Sequence, residues 1–282
     1  MSRTKSMMRA LALCAGLVLG ATASAVGATA PQTHEAGRLR IAVYNDFAPY
    51  SDNGKGVDVA IGRELAKRLG LQADIVGFNA DEDMNDDLRN MVWKGHYLGT
   101  QPADVMLHVP VDHYLEKKNE QVHIFGPYHL ETIAIARNPQ RVPPVAGSAA
   151  RALEVFTHEK IGVEVASLPD DFLLSVLNGR LRENVTHFMT IPEAVAALKK
   201  GEIAAVMATR AELEGALGTQ SKFEISEVQM PELRIKGWPI GMAVKADNAS
   251  LQAALSKALE DIYHDGTLDR IFAQHGITHR VP

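Results

Sequence analysis

The 282-residue chain is 46% hydrophobic and carries 29 basic against 34 acidic side chains, a formal net charge of −5. That balance argues against nucleic acid or an anionic membrane surface as partner. The only cysteine, Cys14, falls near the start, so the rest of the chain offers no disulfide, thiolate ligand or cysteine nucleophile.

The first residues form a basic leader (Arg3, Lys5, Arg9), an apolar and small run over Ala10–Ala23, and small-residue patterns at Ala21–Ala25 and Ala28–Ala30. This predicts a secretory signal peptide over residues 1–30. The run is shorter than the roughly 20 residues needed to span a bilayer, and no later stretch is apolar for long enough to cross one. Without the three basic residues of the leader the balance is 26 basic against 34 acidic, a net of −8. About 250 residues can bury a large core, and two lobes are as plausible as one domain.

Arg38–Tyr44 reads as a strand, followed by the loop NDFAPYSDNGKG. Val57–Leu69 has apolar residues at three- and four-residue spacing before Gly70, which predicts an amphipathic helix with a glycine stop. LQADIVGF is the next strand, Leu88–Lys94 a helix ended by Gly95, and Asp104–Val109 a third strand. An irregular polar turn then leads to a strand over Thr132–Arg137, and RVPPVAG reads as a linker. Arg137–Gly147 is therefore expected to be a first crossing between two lobes.

The alternation restarts beyond it. Lys160–Val165, Val185–Met189 and Ile203–Ala208 read as strands, with helices over Pro169–Asn178 and Ile191–Lys200 between them. Ile235–Val244 is a return crossing, and Leu251–His264 with Thr267–His275 are closing helices. A β-α-β order implies a mainly parallel sheet in each lobe. The expected fold class is α/β, with lobe one over residues 31–137 and 238–282 and lobe two over residues 138–237.

Ligands of open α/β sheets bind beyond the carboxyl ends of the strands. Asn45, Asp46, Phe47 and Tyr50 after the first strand, and His108 and Asp112 at the end of the third, are thus candidates for a cleft. The acidic run Asp81, Glu82, Asp83, Asp86, Asp87 suits a helix start. It also leaves open a calcium or lanthanide site, although its spacing is not that of the twelve-residue calcium loop. No HExxH, GxSxG, GxGxxG or Walker pattern is present, so neither a cofactor nor a catalytic residue is expected.

LRIAVYNDFAPYSDNGKGVDVAIGRELAKRLGL, FGPYHLETIAIARNP, KIGVEVASLPDDFLL, LKKGEIAAVMA and LEDIYHDGTLDRIFAQHG together resemble the type 2 periplasmic binding fold of extracellular solute-binding proteins, family 3. The resemblance runs through nearly all of the chain after the leader. MNDDLRNMVWKGHYLGTQPADVMLHVPVD resembles a narrower group, the quinoprotein dehydrogenase-associated proteins related to the J-type accessory proteins of methanol oxidation. The resemblance implies a two-lobed periplasmic protein with two hinge crossings and a cleft lined from both lobes. The narrower group implies a partnership with a PQQ-dependent quinoprotein alcohol or methanol dehydrogenase, or with its cytochrome.

Three departures count against an ordinary amino-acid ligand. The turn HYLEKKNEQVHIFGPY lacks the arginine that amino-acid-binding members use for the ligand carboxylate, and Lys117 or Lys118 cannot supply its bidentate fork. The usual hydroxyl pair after the first strand of lobe two becomes Ser167-Leu168, and the usual carboxylate falls near Thr209, beside Arg210. The expected cleft residues are therefore Asn45, Phe47, Tyr50, His108, Asp112, Ser167 and Thr209. The expected function is that of a periplasmic accessory module without chemistry of its own. The alternative is the solute-binding subunit of an ABC importer for a small polar solute, with a permease as partner.

Overall fold

The first half of the chain builds as its hydrophobic periodicity dictates. In the computed structural model, which describes residues 31–219 and 221–282, β1 (Arg38–Tyr44) leads through a short hairpin, β2 (Asp46–Phe47) and β3 (Ser51–Asp52), into α1 (Val57–Arg68). Then follow β4 (Gln72–Phe78), α2 (Met84–Leu88), β5 (Val105–Pro110), α3 (His113–Lys118) and β6 (Val122–Arg137). The expected signal peptide lies outside the described residues. β1 pairs in parallel with both β4 and β5. Its alternate residues Leu39, Ile41 and Val43 join Ile61 and Leu65 of α1 in one core, while Ala42 faces Leu88, Met91 and Val92 in another, the period-two division of a sheet covered on both faces.

The second half repeats the arrangement with α4 (Ala149–Ala152), β7 (Ile161–Glu164), α5 (Leu168–Ser175), β8 (Val185–Phe188), α6 (Ile191–Lys200) and β9 (Ala205–Thr209). It continues through α7 (Arg210–Leu217), β10 (Glu224–Glu227), β11 (Gly237–Lys245), α8 (Ala249–His264) and α9 (Thr267–Gln274). β7 is parallel to β8 and β9. The strand order is β4-β1-β5-β11-β6-β9-β7-β8, with β10 on β6. Each parallel trio is joined to the other by the antiparallel β6 and β11, giving a mixed α/β architecture flanked by helices. Leu251, Leu255, Ile262 and Ile271 of α8 and α9 bury themselves in the core of the first half.

Three expectations need correction. The polar turn before Thr132 is instead α3, capped by Asp112, and a 16-residue strand that already begins at Val122. Gly126 and Pro127 in its middle read as a turn in the sequence, but they form an irregularity opposite β11, whose register shifts between Ile240 and Met242. β6 pairs with β11 as far as Thr132 and with β9 from Ile133 onward. The helix expected over Leu88–Lys94 is split between α2 and a π-helical turn, Arg89–Trp93. The helix expected over Pro169–Asn178 ends at Ser175, because Leu177 and Asn178 adopt left-handed φ of 53° and 57°.

Candidate functional site

The loops that follow β1, β7, β8 and β9 converge on three adjoining hollows of about 470, 390 and 190 Å³. Asn45, Asp46 and Phe47 come from the end of β1, Glu164 and Ser167 from the end of β7, Ile191 from the start of α6, and Thr209 and Glu212 from the start of α7. Phe47 and Glu164 line all three hollows, so one side chain from each half faces the shared space. Trp238 of β11 closes the smallest hollow and packs against the cores of both halves. Among the described residues no lysine, arginine or histidine lines any of the three.

Glu164 and Glu212 are short of positive partners, and burial shifts both accordingly. Burial pushes the Glu164 carboxyl up, an effect only partly offset by the nearby backbone N–H of Ile191. Glu212 is pushed up to about 8, first by burial and then by the nearby charges of Glu131 and Glu164. Thr209 Oγ1 donates to Glu212 Oε2 over 2.6 Å, and the Thr209 N–H donates to the same oxygen over 3.2 Å. Those contacts complete a capping box at the start of α7.

Beneath the cleft lies a buried polar network. Tyr50, fully buried, donates its hydroxyl to Glu131, whose other oxygen accepts the Thr132 N–H over 3.0 Å. Burial raises the Glu131 carboxyl, opposed first by the Tyr50 hydroxyl and in small part by the nearby Ala211 N–H of α7. Glu131 thus ties Tyr50, in the turn between β2 and β3, to β6. Alongside, His108 Nδ1 lies 3.0 Å from Asp58 Oδ2, and Tyr128 donates to Asp58 Oδ1 over 2.7 Å. The His108 ring meets those of Tyr50 and Phe47 edge-on, with centroids 4.2 and 4.7 Å away. His108 has a left-handed φ of 62°, a conformation that costs a non-glycine residue about 1–3 kcal/mol. Its N–H is held by the Tyr128 hydroxyl at 2.9 Å.

No family model matches the chain. Solved structures do. An ancestral cationic amino acid solute-binding protein superposes with a TM-score of 0.64 at 18% identity, over 85% of this chain and 96% of that one. An amino acid ABC transporter substrate-binding protein from Streptococcus pneumoniae, bound to L-arginine, gives 0.58 at 19% identity over 87% and 96%. A histidine kinase sensor domain with similarity to periplasmic binding proteins gives 0.57 at 18% identity over 86% and 98%. The fold is that of the two-lobed type 2 periplasmic binding proteins.

Within that fold the expected cleft residues divide. Asn45, Phe47, Ser167 and Thr209 line the hollows. Asn45 is braced by its Nδ2 on Asn79 Oδ1 at 2.6 Å, and Ser167 and Thr209 also cap α5 and α7. Tyr50 and His108 lie below the Phe47 wall instead, because their hydroxyl and imidazole groups find buried carboxylate partners there. Asp112 is exposed and lines none of the three hollows; it accepts the Leu115 N–H over 2.7 Å as the cap of α3.

Glu164 and Glu212 are the cleft residues that sequence reasoning missed. Applying to β7 the strand-end rule used for Asn45 reaches Glu164, and Thr209-x-x-Glu212 is itself a readable capping box. The acidic run acts as a helix start: Asp83 accepts the Asn85 and Asp86 N–H groups, and Asp87 accepts the Tyr44 hydroxyl over 2.7 Å. Among the described residues no group of three or more His, Cys, Asp or Glu could hold a metal ion.

Proposed function

We propose that the protein is a periplasmic solute-binding protein that closes on a small ligand and presents it to an ABC permease. The observation that carries this reading is the shared space itself: Phe47 from one half and Glu164 from the other line every hollow of the cleft. Ligand binding would stabilise the arrangement in which the two walls meet, a shift of population between open and closed forms. The lobes we propose are residues 31–137 with 238–282 and residues 138–237; the change of partners along β6, from β11 to β9, supports a passage through this strand. The similar proteins named above support the role, and the leader supports the compartment. The protein performs no chemistry of its own.

The test is a thermal-shift measurement on the protein without its leader, mixed with the heat-treated small-molecule fraction of a bacterial extract. A rise in melting temperature that dialysis reverses is expected, since a ligand bound only by the native state stabilises it by mass action. An unmoved transition across all fractions contradicts the reading.

One observation favours a second role. Tyr97 and Leu98 are 87% and 76% exposed, within the stretch that carries the narrower resemblance. Exposed aromatic and aliphatic side chains are characteristic contact points for a partner, here a periplasmic PQQ-dependent quinoprotein dehydrogenase or its cytochrome. Capture of that enzyme by the wild type but not by Tyr97→Ser with Leu98→Ser supports docking; equal capture by both removes it.

A further inference from the structure

We infer that the cleft takes a small organic cation, an aliphatic amine or diamine that carries no carboxylate. This rests on the solute-binding reading and adds the charge and class of the ligand. The cleft is located by the converging strand ends and the hollows between them; its lining then decides what can enter.

The charged side chains that line the three hollows are Asp46, Asp52, Glu164 and Glu212, all acidic. None of the four has a cationic side chain within ion-pair distance among the described residues. Arg210, next to Thr209 in the chain, is turned to Glu214 at 2.7 Å and Glu227 at 3.7 Å. An anionic group placed here would meet like charges and no counter-charge, and a half-buried site makes that repulsion costly.

Backbone donors do not rescue an anion. Helix starts at α6 and α7 face the cleft, and free N–H groups there would ordinarily welcome a carboxylate. The backbone N–H groups of Ile191 and Ala211 lie close enough to Glu164 and Glu131 to favour those carboxylates over any other anion. The protein's own carboxylates thus stand beside the helix starts where the carboxylate of an amino acid would have to sit. A cation reverses each of these terms, because it supplies the charge that Glu164 and Glu212 lack.

The walls favour an organic cation over a metal ion. Among the described residues no three potential metal ligands converge, whereas Phe47, Trp238, Ile133 and Ile191 line the smallest hollow. Aromatic faces attract ammonium groups and the aliphatic walls accept methylenes. A volume of about 190 Å³ there suits a short alkyl chain with its ammonium ends toward the two glutamates.

Cadaverine and L-lysine make the decisive pair, since lysine is cadaverine with a carboxylate added. Calorimetric titration of the protein without its leader is expected to give cadaverine an affinity higher than that of lysine by about tenfold or more. Glu164→Gln, which removes one charge without touching the capping box of α7, is expected to weaken cadaverine by about tenfold. Glu212→Gln provides a second, independent variant with the same expected direction. Equal or tighter binding of lysine overturns the inference, as does unchanged cadaverine affinity in both variants. If neither compound binds while the extract fractions raise the melting temperature, the ligand class is wrong and the solute-binding reading stands. If the fractions also leave the transition unmoved, the solute-binding reading falls with it.

Discussion

Glu212→Gln isolates the cost of holding a carboxylate in this cleft. The Glu212 carboxyl titrates at about 8 in the folded protein against an ordinary 4.5. At roughly 1.4 kcal/mol per pH unit, that displacement has an upper bound of about 5 kcal/mol. Water entering from the open side of the cleft reduces the realised amount to about 2–3 kcal/mol.

The sign follows from which state holds the proton more tightly. The folded state does, so the contribution is fully present below the unfolded value of 4.5 and is lost as pH rises through 8. Glu131 from β6 and Glu164 from β7 face the same carboxyl and push in the same direction, while the Thr209 hydroxyl and N–H oppose them. Glutamine keeps an oxygen for the capping box and has no charge to bury. Urea unfolding at about pH 5 and about pH 9 should show the wild type losing about 2–3 kcal/mol more than the variant between the two conditions. Parallel losses in both proteins would refute the reasoning.

Tyr50→Phe deletes the hydroxyl that donates to buried Glu131, and should lower unfolding free energy by about 1–3 kcal/mol in urea titration; no change would mean that water replaces the donor. Gly56 has a φ of 124°, and a Cβ there would sit 2.3 Å from the Tyr50 carbonyl oxygen, so Gly56→Ala should cost about 3 kcal/mol or more. Its melting temperature reads the result, and a wild-type value would show that the turn before α1 can shift. Asp83→Ala and Asp112→Ala each remove a helix cap, at about 1 kcal/mol apiece. Neither loss should depend on added calcium, and Asp112→Ala should leave solute affinity untouched; a calcium-dependent loss at Asp83 would restore the metal reading.

The fold was legible where burial follows periodicity. The strand Arg38–Tyr44, the α1 stripe ending at Gly70, and Thr190 with Gly201 around α6 all carry their instructions locally. β6 was half legible, because Gly126-Pro127 signals a turn and only pairing with β11 makes that segment extended. α7 was missed because Arg210–Leu217 is only 8 residues long and its start is written mainly in the Thr209–Glu212 box. In the candidate site, the strand-end rule reached Asn45 and Phe47, which line the hollows. It could not separate Tyr50 and His108, which lie underneath, since their depth is decided by Glu131 and Asp58 arriving from elsewhere in the chain. Burial of charged side chains such as Glu164 and Glu212 has no local sequence signature. It arises when the end of β7 and the start of α7 come together in one half and Phe47 of the other half lines the same space.

Native mass spectrometry of the protein purified under gentle conditions from the cells that make it tests the central claim most directly. The account predicts a non-covalent small-molecule adduct on the wild type, reduced or absent in Glu164→Gln, with the released molecule a cation. A bare polypeptide mass under every gentle condition, or an adduct equally retained by Glu164→Gln, would contradict it.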